Sequence, residues 1–146
     1  MRNRVVLADD HKLFREALRN MLQRHPDIEV VGEAGDGIQA VELVRSLLPD
    51  VVVMDIRMPR LNGIAAIGQL LAAHASIKVI VLSVNSARIF ASEMLAAGAR
   101  GYVTKSDAVE LPRAIRAVMN DLEYLSLEVA APRASSPCND NGAGRL

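Results

Sequence analysis

Short apolar runs, most of them followed by a polar residue, alternate with segments of helical spacing along most of this chain. The runs occupy residues 5–8, 28–31, 51–54, 77–82 and 101–104. After each run, apolar residues recur at helical spacing, over about 11–24, 38–48, 64–73, 86–97 and 108–119. Five strands that alternate with five helices predict right-handed crossovers and a doubly wound α/β fold, with helices on both faces of a five-stranded parallel sheet.

The strand ends carry the polar groups that suggest a functional site. In a sheet of order 2-1-3-4-5, the order reverses between the first and third strands, and ligands bind at the carboxyl edge beside that reversal. This order would place Asp9 and Asp10 beside Asp55, with Ser83 and Lys105 on the far side. Three carboxylates, a hydroxyl and an ammonium are therefore expected to converge on one edge.

The charges of these groups predict their chemistry. Three neighbouring carboxylates repel one another unless a cation shares the site. Mg²⁺ suits them, because it binds oxygen ligands through one or two carboxylates and keeps several waters. Asp55 would then be a carboxylate nucleophile that forms an aspartyl-phosphate, with Lys105 and Ser83 contacting the phosphoryl oxygens.

Composition narrows the class of protein. The 146 residues are one domain's worth, with 51% hydrophobic residues, 17 basic and 17 acidic residues, and a single cysteine, Cys138. No run of 18 apolar residues is present. We expect a soluble cytoplasmic protein with no membrane contact and no direct nucleic-acid contact. Because Pro, Ser, Asn and Gly crowd the sequence after Ala131, residues 128–146 are predicted to be a flexible linker or tail.

The combined motif resembles a known family. Asp9-Asp10, Asp55 within Asp-Ile-Arg-Met-Pro-Arg-Leu-Asn-Gly, Ser83 and Lys105 are similar to the signature of bacterial response-regulator receiver domains. The likeness covers residues 5–119. A narrower resemblance to the NarL/FixJ (LuxR-type) subgroup is carried by Asp-Asp-His-x-Leu-x-Arg-x-x-Leu from residue 9, Val-Val-Gly-Glu-Ala from residue 30, Ala-Gly-Ala-x-Gly-Tyr from residue 97 and Tyr-Leu-Ser from residue 124.

The resemblance implies a CheY-like (βα)5 fold and specific roles for the site residues. A sensor histidine kinase would phosphorylate Asp55. Asp10, Asp55 and the backbone carbonyl of Arg57 would bind Mg²⁺, with Asp9 assisting. The resemblance further implies that Ser83 and Lys105 bind the phosphoryl group and that Tyr102 reorients with them. The resemblance also implies that dephosphorylation is tuned at three positions: Arg57, Val84 and Asn85.

The same resemblance implies an output. Phosphorylation would switch the face made by helix 4, strand 5 and helix 5, and so control dimerisation and, through a DNA-binding domain, transcription. On this hypothesis residues 1–127 are the receiver, and residues 128–146 lead towards a LuxR-type helix-turn-helix domain that is absent here. The alternative is a stand-alone receiver that acts by protein–protein interaction. In neither case is the chain expected to be an enzyme, although it accepts a phosphoryl group and could dephosphorylate itself.

Other functional classes fit the residues less well. An aspartyl-phosphate phosphatase or phosphotransferase needs a second Asp two residues after the nucleophile, where this chain has Arg57. A flavodoxin-like nucleotide-binding domain would need a Gly-rich loop after the first strand, where Asp9 and Asp10 stand instead. A degenerate receiver would lack one of the five site residues, and none is missing.

Overall fold

The computed structural model describes residues 2–56 and 63–130. Within these ranges a single parallel sheet has the strand order β2-β1-β3-β4-β5-β6. Its strands are β1 (Asn3–Ala8), β2 (Ile28–Ala34), β3 (Val51–Asp55), β4 (Lys78–Ser83), β5 (Gly101–Thr104) and β6 (Tyr124–Leu125). The predicted order of the first five strands and the doubly wound fold class are confirmed, and the sheet has a sixth strand that was not predicted.

Helices cover both faces of the sheet. They are α1 (Lys12–Gln23), α2 (Gly37–Leu47), α3 (Gly63–Ala73), α4 (Arg88–Ala96), α5 (Leu111–Met119) and α6 (Leu127–Ala130), and a 3-10 helix (Lys105–Glu110) precedes α5. The first five helices agree with the predicted segments to within three residues at each end. In the described ranges, no helix is both long and apolar enough to cross a membrane.

Two buried clusters sit on opposite faces, as the alternation along β1 requires. Val5 and Leu7 pack with apolar residues of α1 and α5. Val6 and Ala8 face the other way and pack with α2, α3 and α4. The central strands β3 and β4 contribute to both clusters, which explains their nearly continuous apolar sequences.

Helix α5 begins later than its apolar periodicity predicted. The expected start was near residue 108, but residues 105–110 form the 3-10 helix and Pro112 lies in the first turn of α5. A proline is tolerated there because the first N–H groups of a helix have no partner within the helix. The proline therefore marks the start of α5 and does not distort its interior.

A short segment after α5 completes the sheet. Strand β6 pairs in parallel with β5, with Gly101 opposite Tyr124 and Tyr102 opposite Leu125. Helix α6 follows, and its Val129 is buried in the same cluster as Tyr102. Two residues are too few to show a strand periodicity, so the sequence pattern did not indicate β6. The first three residues of the predicted tail, 128–130, lie in α6.

Candidate functional site

The carboxyl ends of four strands meet at one edge of the sheet. Asp9 and Asp10 follow β1, Asp55 is the last residue of β3, Ser83 is the last residue of β4, and Lys105 follows β5. The registers align these ends, pairing Ala8 with Met54, Asp55 with Leu82, and Ser83 with Thr104. The reversal of strand order between β1 and β3 lies beside Asp55, as expected from the topology.

Three carboxylates form a compact cluster at this edge. One oxygen from each of Asp9, Asp10 and Asp55 lies within 4.8 Å of the other two. The residues Asp9 and Asp55 are only 1% exposed, whereas Asp10 is exposed. A rigid buried strand therefore presents Asp55, and the loop after β1 supplies the neighbouring carboxylates.

Lys105 joins two of these carboxylates. Its Nζ donates to Asp55 Oδ2 at 3.0 Å and lies 3.2 Å from Asp9 Oδ2. Burial opposes the charge of the ammonium, but the hydrogen bond and the negative charges of Asp55 and Asp9 outweigh it and raise the pKa of Lys105. The ammonium also lies over the ring of Phe14, 4.8 Å from its centroid. Lys105 is thus held as a cation beside the Asp55 carboxylate.

The surroundings of Asp9 disfavour the ionised form of its carboxyl group. Burial raises its pKa, the N–H of His11 that donates to Oδ1 at 2.8 Å opposes this effect, and the charge of Asp55 adds to it. The other oxygen, Oδ2, is buried and accepts no hydrogen bond from the described residues, although the ammonium of Lys105 is close. A buried carboxylate oxygen with spare capacity, beside two more carboxylates, fits a hard divalent cation such as Mg²⁺.

An open pocket of about 480 Å³ lies over this cluster. Its lining residues are Asp10, His11, Asp55, Val84 and Lys105. Four of the predicted site residues are therefore in the wall together: Asp10, Asp55, Lys105 and Val84. Of these, Val84, predicted to tune dephosphorylation, is exposed. Arg57, predicted to supply a backbone carbonyl, lies outside the described residues.

Ser83, Asn85 and Tyr102 form a hydrogen-bonded group behind the pocket. The N–H of Asn85 donates to Ser83 Oγ at 3.0 Å, and the Tyr102 hydroxyl donates to the carbonyl of Asn85 at 2.6 Å. Tyr102 is fully buried, with its ring edge-to-face against Phe90 at 6.2 Å between centroids. Burial raises the pKa of Tyr102, although a hydrogen bond with Ser83 opposes the shift. The end of β4 is thereby linked to β5 through the segment before α4.

One residue of the pocket wall, and an aromatic ring that contacts Lys105, were not predicted as parts of the site from the sequence. Phe14 matched the apolar spacing of α1 and was assigned to helix packing, and His11 was interpreted as a surface residue at the helix start. Both occupy the start of α1, directly after the carboxylates of β1, and their rings stack with centroids 6.4 Å apart. Their closeness in sequence to Asp10 was the available signal, because the first turn of a helix after such a strand must pass over the carboxyl edge.

The segment after α5 is hydrogen-bonded to the edge of β5 that faces away from β4. Ser126 is fully buried; its Oγ accepts the N–H of Thr104 at 3.1 Å, and its own N–H donates to the carbonyl of Tyr102 at 2.9 Å. The hydroxyl of Tyr124 donates to Glu110 Oε1 at 2.6 Å, and burial together with this carboxylate raises the pKa of Tyr124 to about 12. In the sequence, Tyr124-Leu125-Ser126 carried only the subgroup resemblance, and nothing in its local pattern indicated these contacts.

The fold and the pocket together define a doubly wound α/β domain whose carboxyl edge presents a buried aspartate between a carboxylate cluster and a lysine. The family model for the response regulator receiver domain matches residues 5–116, and the chain belongs to this family.

Curated relatives agree with this assignment. The chain is 40% identical to the transcriptional regulatory protein DegU of Brevibacillus brevis over 126 residues, which are 86% of this chain and 53% of DegU. It is 39% identical to the response regulator GacA of Pseudomonas viridiflava over 128 residues, which are 87% of this chain and 60% of GacA. The chain therefore spans between half and two thirds of the length of these relatives.

A solved structure matches over nearly its whole length. It is a two-component response regulator of the LuxR family from Aurantimonas sp. SI85-9A1, with a TM-score of 0.85 and 36% sequence identity. The match covers 92% of this chain and 96% of that chain. The subgroup resemblance found in the sequence motifs is thus confirmed by both kinds of comparison.

Proposed function

We propose that Asp55 is the phosphoacceptor of this receiver domain and that a sensor histidine kinase is its phosphodonor. The observation that carries the proposal is the position of Asp55: it ends a fully buried strand, contacts Lys105 at 3.0 Å and opens into a pocket lined by Asp10. A carboxylate held in this way is fixed in orientation yet reachable by a phosphoryl group.

The proposed step is a substitution at phosphorus. A carboxylate oxygen of Asp55 forms a bond to phosphorus while the bond from phosphorus to the donor nitrogen breaks. The electron pair of the broken bond leaves with the donor histidine. The product is an acyl phosphate on Asp55, and the ammonium of Lys105, already within hydrogen-bonding distance, pairs with an oxygen of the transferred group.

Asp10 and Asp55, assisted by Asp9, would hold Mg²⁺. The compact carboxylate cluster and the spare capacity of Asp9 Oδ2 support this part of the proposal. The backbone carbonyl of Arg57 is proposed as a further ligand on the resemblance alone. When bound, Mg²⁺ supplies positive charge that offsets the repulsion between the carboxylates and the incoming phosphoryl oxygens.

Ser83 and Tyr102 are proposed to transmit the change. Ser83 Oγ accepts the N–H of Asn85, so a phosphoryl group that recruits this hydroxyl would pull on the segment before α4. The Tyr102 hydroxyl is bound to the carbonyl of the same Asn85 and would respond to the same movement. This provides a route to the face of α4, β5 and α5. Val84 and Asn85, with Arg57, are proposed to tune the lifetime of the phosphorylated state.

The domain organisation and output of the longer protein are proposals that rest on the relatives. We propose that residues 1–127 are the receiver and that the following residues lead to a LuxR-type DNA-binding domain outside this chain, with transcription as the output. Homodimerisation on phosphorylation and a cytoplasmic location belong to the same proposal. The domain itself is not proposed to be an enzyme. The alternative is a stand-alone receiver that acts by protein–protein interaction. Sedimentation of the protein with and without a phosphodonor tests whether phosphorylation causes homodimerisation.

A phosphodonor experiment tests the central claim. Wild-type protein, Asp55→Asn and a control, Asp121→Asn, would be incubated with acetyl phosphate and MgCl₂ and weighed by intact mass spectrometry. Asp121 is an exposed carboxylate paired with Lys78 at the start of β4, so it tests for non-specific labelling. We expect one phosphoryl group on the wild type and the control and none on Asp55→Asn. Full labelling of Asp55→Asn would refute the assignment.

A further inference from the structure

Arg15 connects β2 to the loop that carries the carboxylates. From α1, its Nε donates to Glu33 Oε1 at 2.9 Å and its Nη1 donates to the backbone carbonyl of Asp9 at 2.5 Å. The Arg15 side chain is 15% exposed, so both bonds are shielded from bulk water. One guanidinium therefore joins a glutamate of the neighbouring strand to the peptide group between Asp9 and Asp10.

Glu33 is a firm anchor for this guanidinium. Its second carboxylate oxygen pairs with Arg19, one turn further along α1. Burial opposes the charge of Glu33, but the hydrogen bonds from Arg19 and Arg15 outweigh it and lower the pKa of the carboxyl group. Glu33 is therefore ionised at neutral pH. Arg19 shares Glu33 with Arg15, yet none of its described hydrogen bonds reaches the loop after β1.

The hydrogen bond from Arg15 orients the peptide group between Asp9 and Asp10, which makes no backbone hydrogen bond to β2 among those described. The N–H of Asp9 still donates to the carbonyl of Ala34 at 3.0 Å, which ends the strand-like pairing. The next peptide group contains the Asp9 carbonyl and the Asp10 nitrogen, and it is rigid and planar. Fixing this carbonyl therefore fixes the direction in which the chain enters Asp10, whose exposed carboxylate belongs to the cluster.

We propose that Arg15 is a positioning residue for the Mg²⁺ site, acting through the Asp9 carbonyl to hold the Asp9 and Asp10 carboxylates in a cation-binding arrangement. The inference rests on the proposed function, because it needs Mg²⁺ to bind this cluster. Groups that orient metal ligands without touching the metal typically change its affinity by about 10–100-fold when removed. Arg15 is such a group by its geometry.

Simple electrostatics predicts the opposite effect, which makes the proposal easy to test. Arg15 and Arg19 are both cations near a cation site, so removal of either charge should strengthen Mg²⁺ binding if charge alone matters. Positioning predicts weaker binding for Arg15→Ala only. Arg19→Ala is the matched control, because it removes the same charge from the same helix and the same partner, Glu33.

The experiment measures the dissociation constant for Mg²⁺ on the unphosphorylated protein. MgCl₂ is titrated at constant ionic strength and followed by the backbone amide NMR shifts of residues 9–11. We expect the dissociation constant of Arg15→Ala to rise by about tenfold or more, and that of Arg19→Ala to stay within about twofold of wild type. Amide spectra and urea unfolding without Mg²⁺ establish that each variant is folded.

A second variant covers the case in which Arg15→Ala does not fold. Arg15→Lys keeps the charge, but an ammonium lacks the planar fork that serves Glu33 and the Asp9 carbonyl together. We expect Arg15→Lys to bind Mg²⁺ more weakly than wild type. Unchanged or tighter binding by a folded Arg15 variant would overturn the inference. Absence of Mg²⁺ binding in the wild type would instead refute the proposed metal site, and the inference with it.

Discussion

The backbone N–H of Thr104, the last residue of β5, donates to the buried hydroxyl of Ser126 over 3.1 Å. Lys105, which pairs with Asp55, is the next residue. The segment after α5 therefore holds the residue that precedes Lys105. Ser126 is thus linked to the candidate phosphorylation site through a hydrogen bond to Thr104, the adjacent residue Lys105 and the ion pair between Lys105 and Asp55. A movement of Lys105 would therefore act on the segment after α5 through Thr104.

Ser126→Ala should loosen this connection. The substitution leaves the Thr104 N–H buried without its acceptor, which costs about 1–3 kcal/mol of unfolding free energy. We expect faster hydrogen exchange at the Thr104 amide and a loss of that size in urea unfolding. Ser46→Ala is the control, since Ser46 is exposed and its hydroxyl makes only a 3.4 Å contact with its own helix. A change within about 0.5 kcal/mol is expected there.

Lys105→Met should make the domain depend more on Mg²⁺. Without the ammonium, the buried carboxylates of Asp9 and Asp55 repel each other, and we expect the unfolding free energy to fall by about 3 kcal/mol. Saturating MgCl₂ should restore more stability to this variant than to wild type, because the ammonium no longer competes for the same oxygens. Urea unfolding with and without MgCl₂ measures both effects.

The control for this charge removal is Lys12→Met. The Lys12 side chain is 74% exposed, and its Nζ makes a long 4.0 Å contact with Glu16 Oε2. Its loss should therefore change stability by less than about 0.5 kcal/mol and leave the Mg²⁺ effect unchanged. An equal Mg²⁺ effect in Lys105→Met and wild type would contradict the prediction.

The Asp27–Arg116 pair should give the domain an acid-sensitive contribution to stability. Arg116 donates two hydrogen bonds to Asp27 at 2.8 and 3.0 Å and lowers the pKa of Asp27 from 3.8 to about 2. Because the folded-state pKa is lower than the unfolded one, the stabilisation is fully present above about pH 4 and is lost as the pH falls towards 2. The side chains are about 40% exposed, so we expect only about 1 kcal/mol.

Asp27→Asn tests this pH dependence. The stability difference between wild type and variant should be about 1 kcal/mol at pH 7 and shrink steadily below pH 4, as measured by urea unfolding at several pH values. Arg116→Met should reproduce the same pH dependence, since it removes the partner. A stability difference that stays constant down to pH 2 would be inconsistent with the pair as its source.

Two glycine substitutions should change stability in opposite directions. Gly98, just after α4, has φ = +121°, and a Cβ there would meet Leu71 Cδ1 at 2.6 Å. Gly98→Ala should cost about 1–3 kcal/mol. Gly68 lies on the exposed side of α3 with nothing within 4 Å of an added Cβ, so Gly68→Ala should stabilise by about 0.5–1 kcal/mol. Thermal and urea unfolding of the two variants check both signs.

The sequence alone determined the first five strands, most helix positions and the position of the candidate site. Burial produces these signals locally: β3 shows its burial on both faces as four consecutive apolar residues, and α1 shows its buried stripe at helical spacing. Because parallel strands share one carboxyl edge, Asp9, Asp10, Asp55, Ser83 and Lys105 could be assigned to it before any distance was known.

Only the tertiary structure decided how the site is supported. The contact between Lys105 and Asp55 joins residues 50 positions apart, and Arg15 reaches Glu33 across 18 positions, so neither leaves a local pattern. The pairing of β6 with β5 involves two residues, too few for periodicity. Local burial determines which segments become strands and helices, whereas long-range geometry determines which side chains orient the carboxylates and what holds the end of β5.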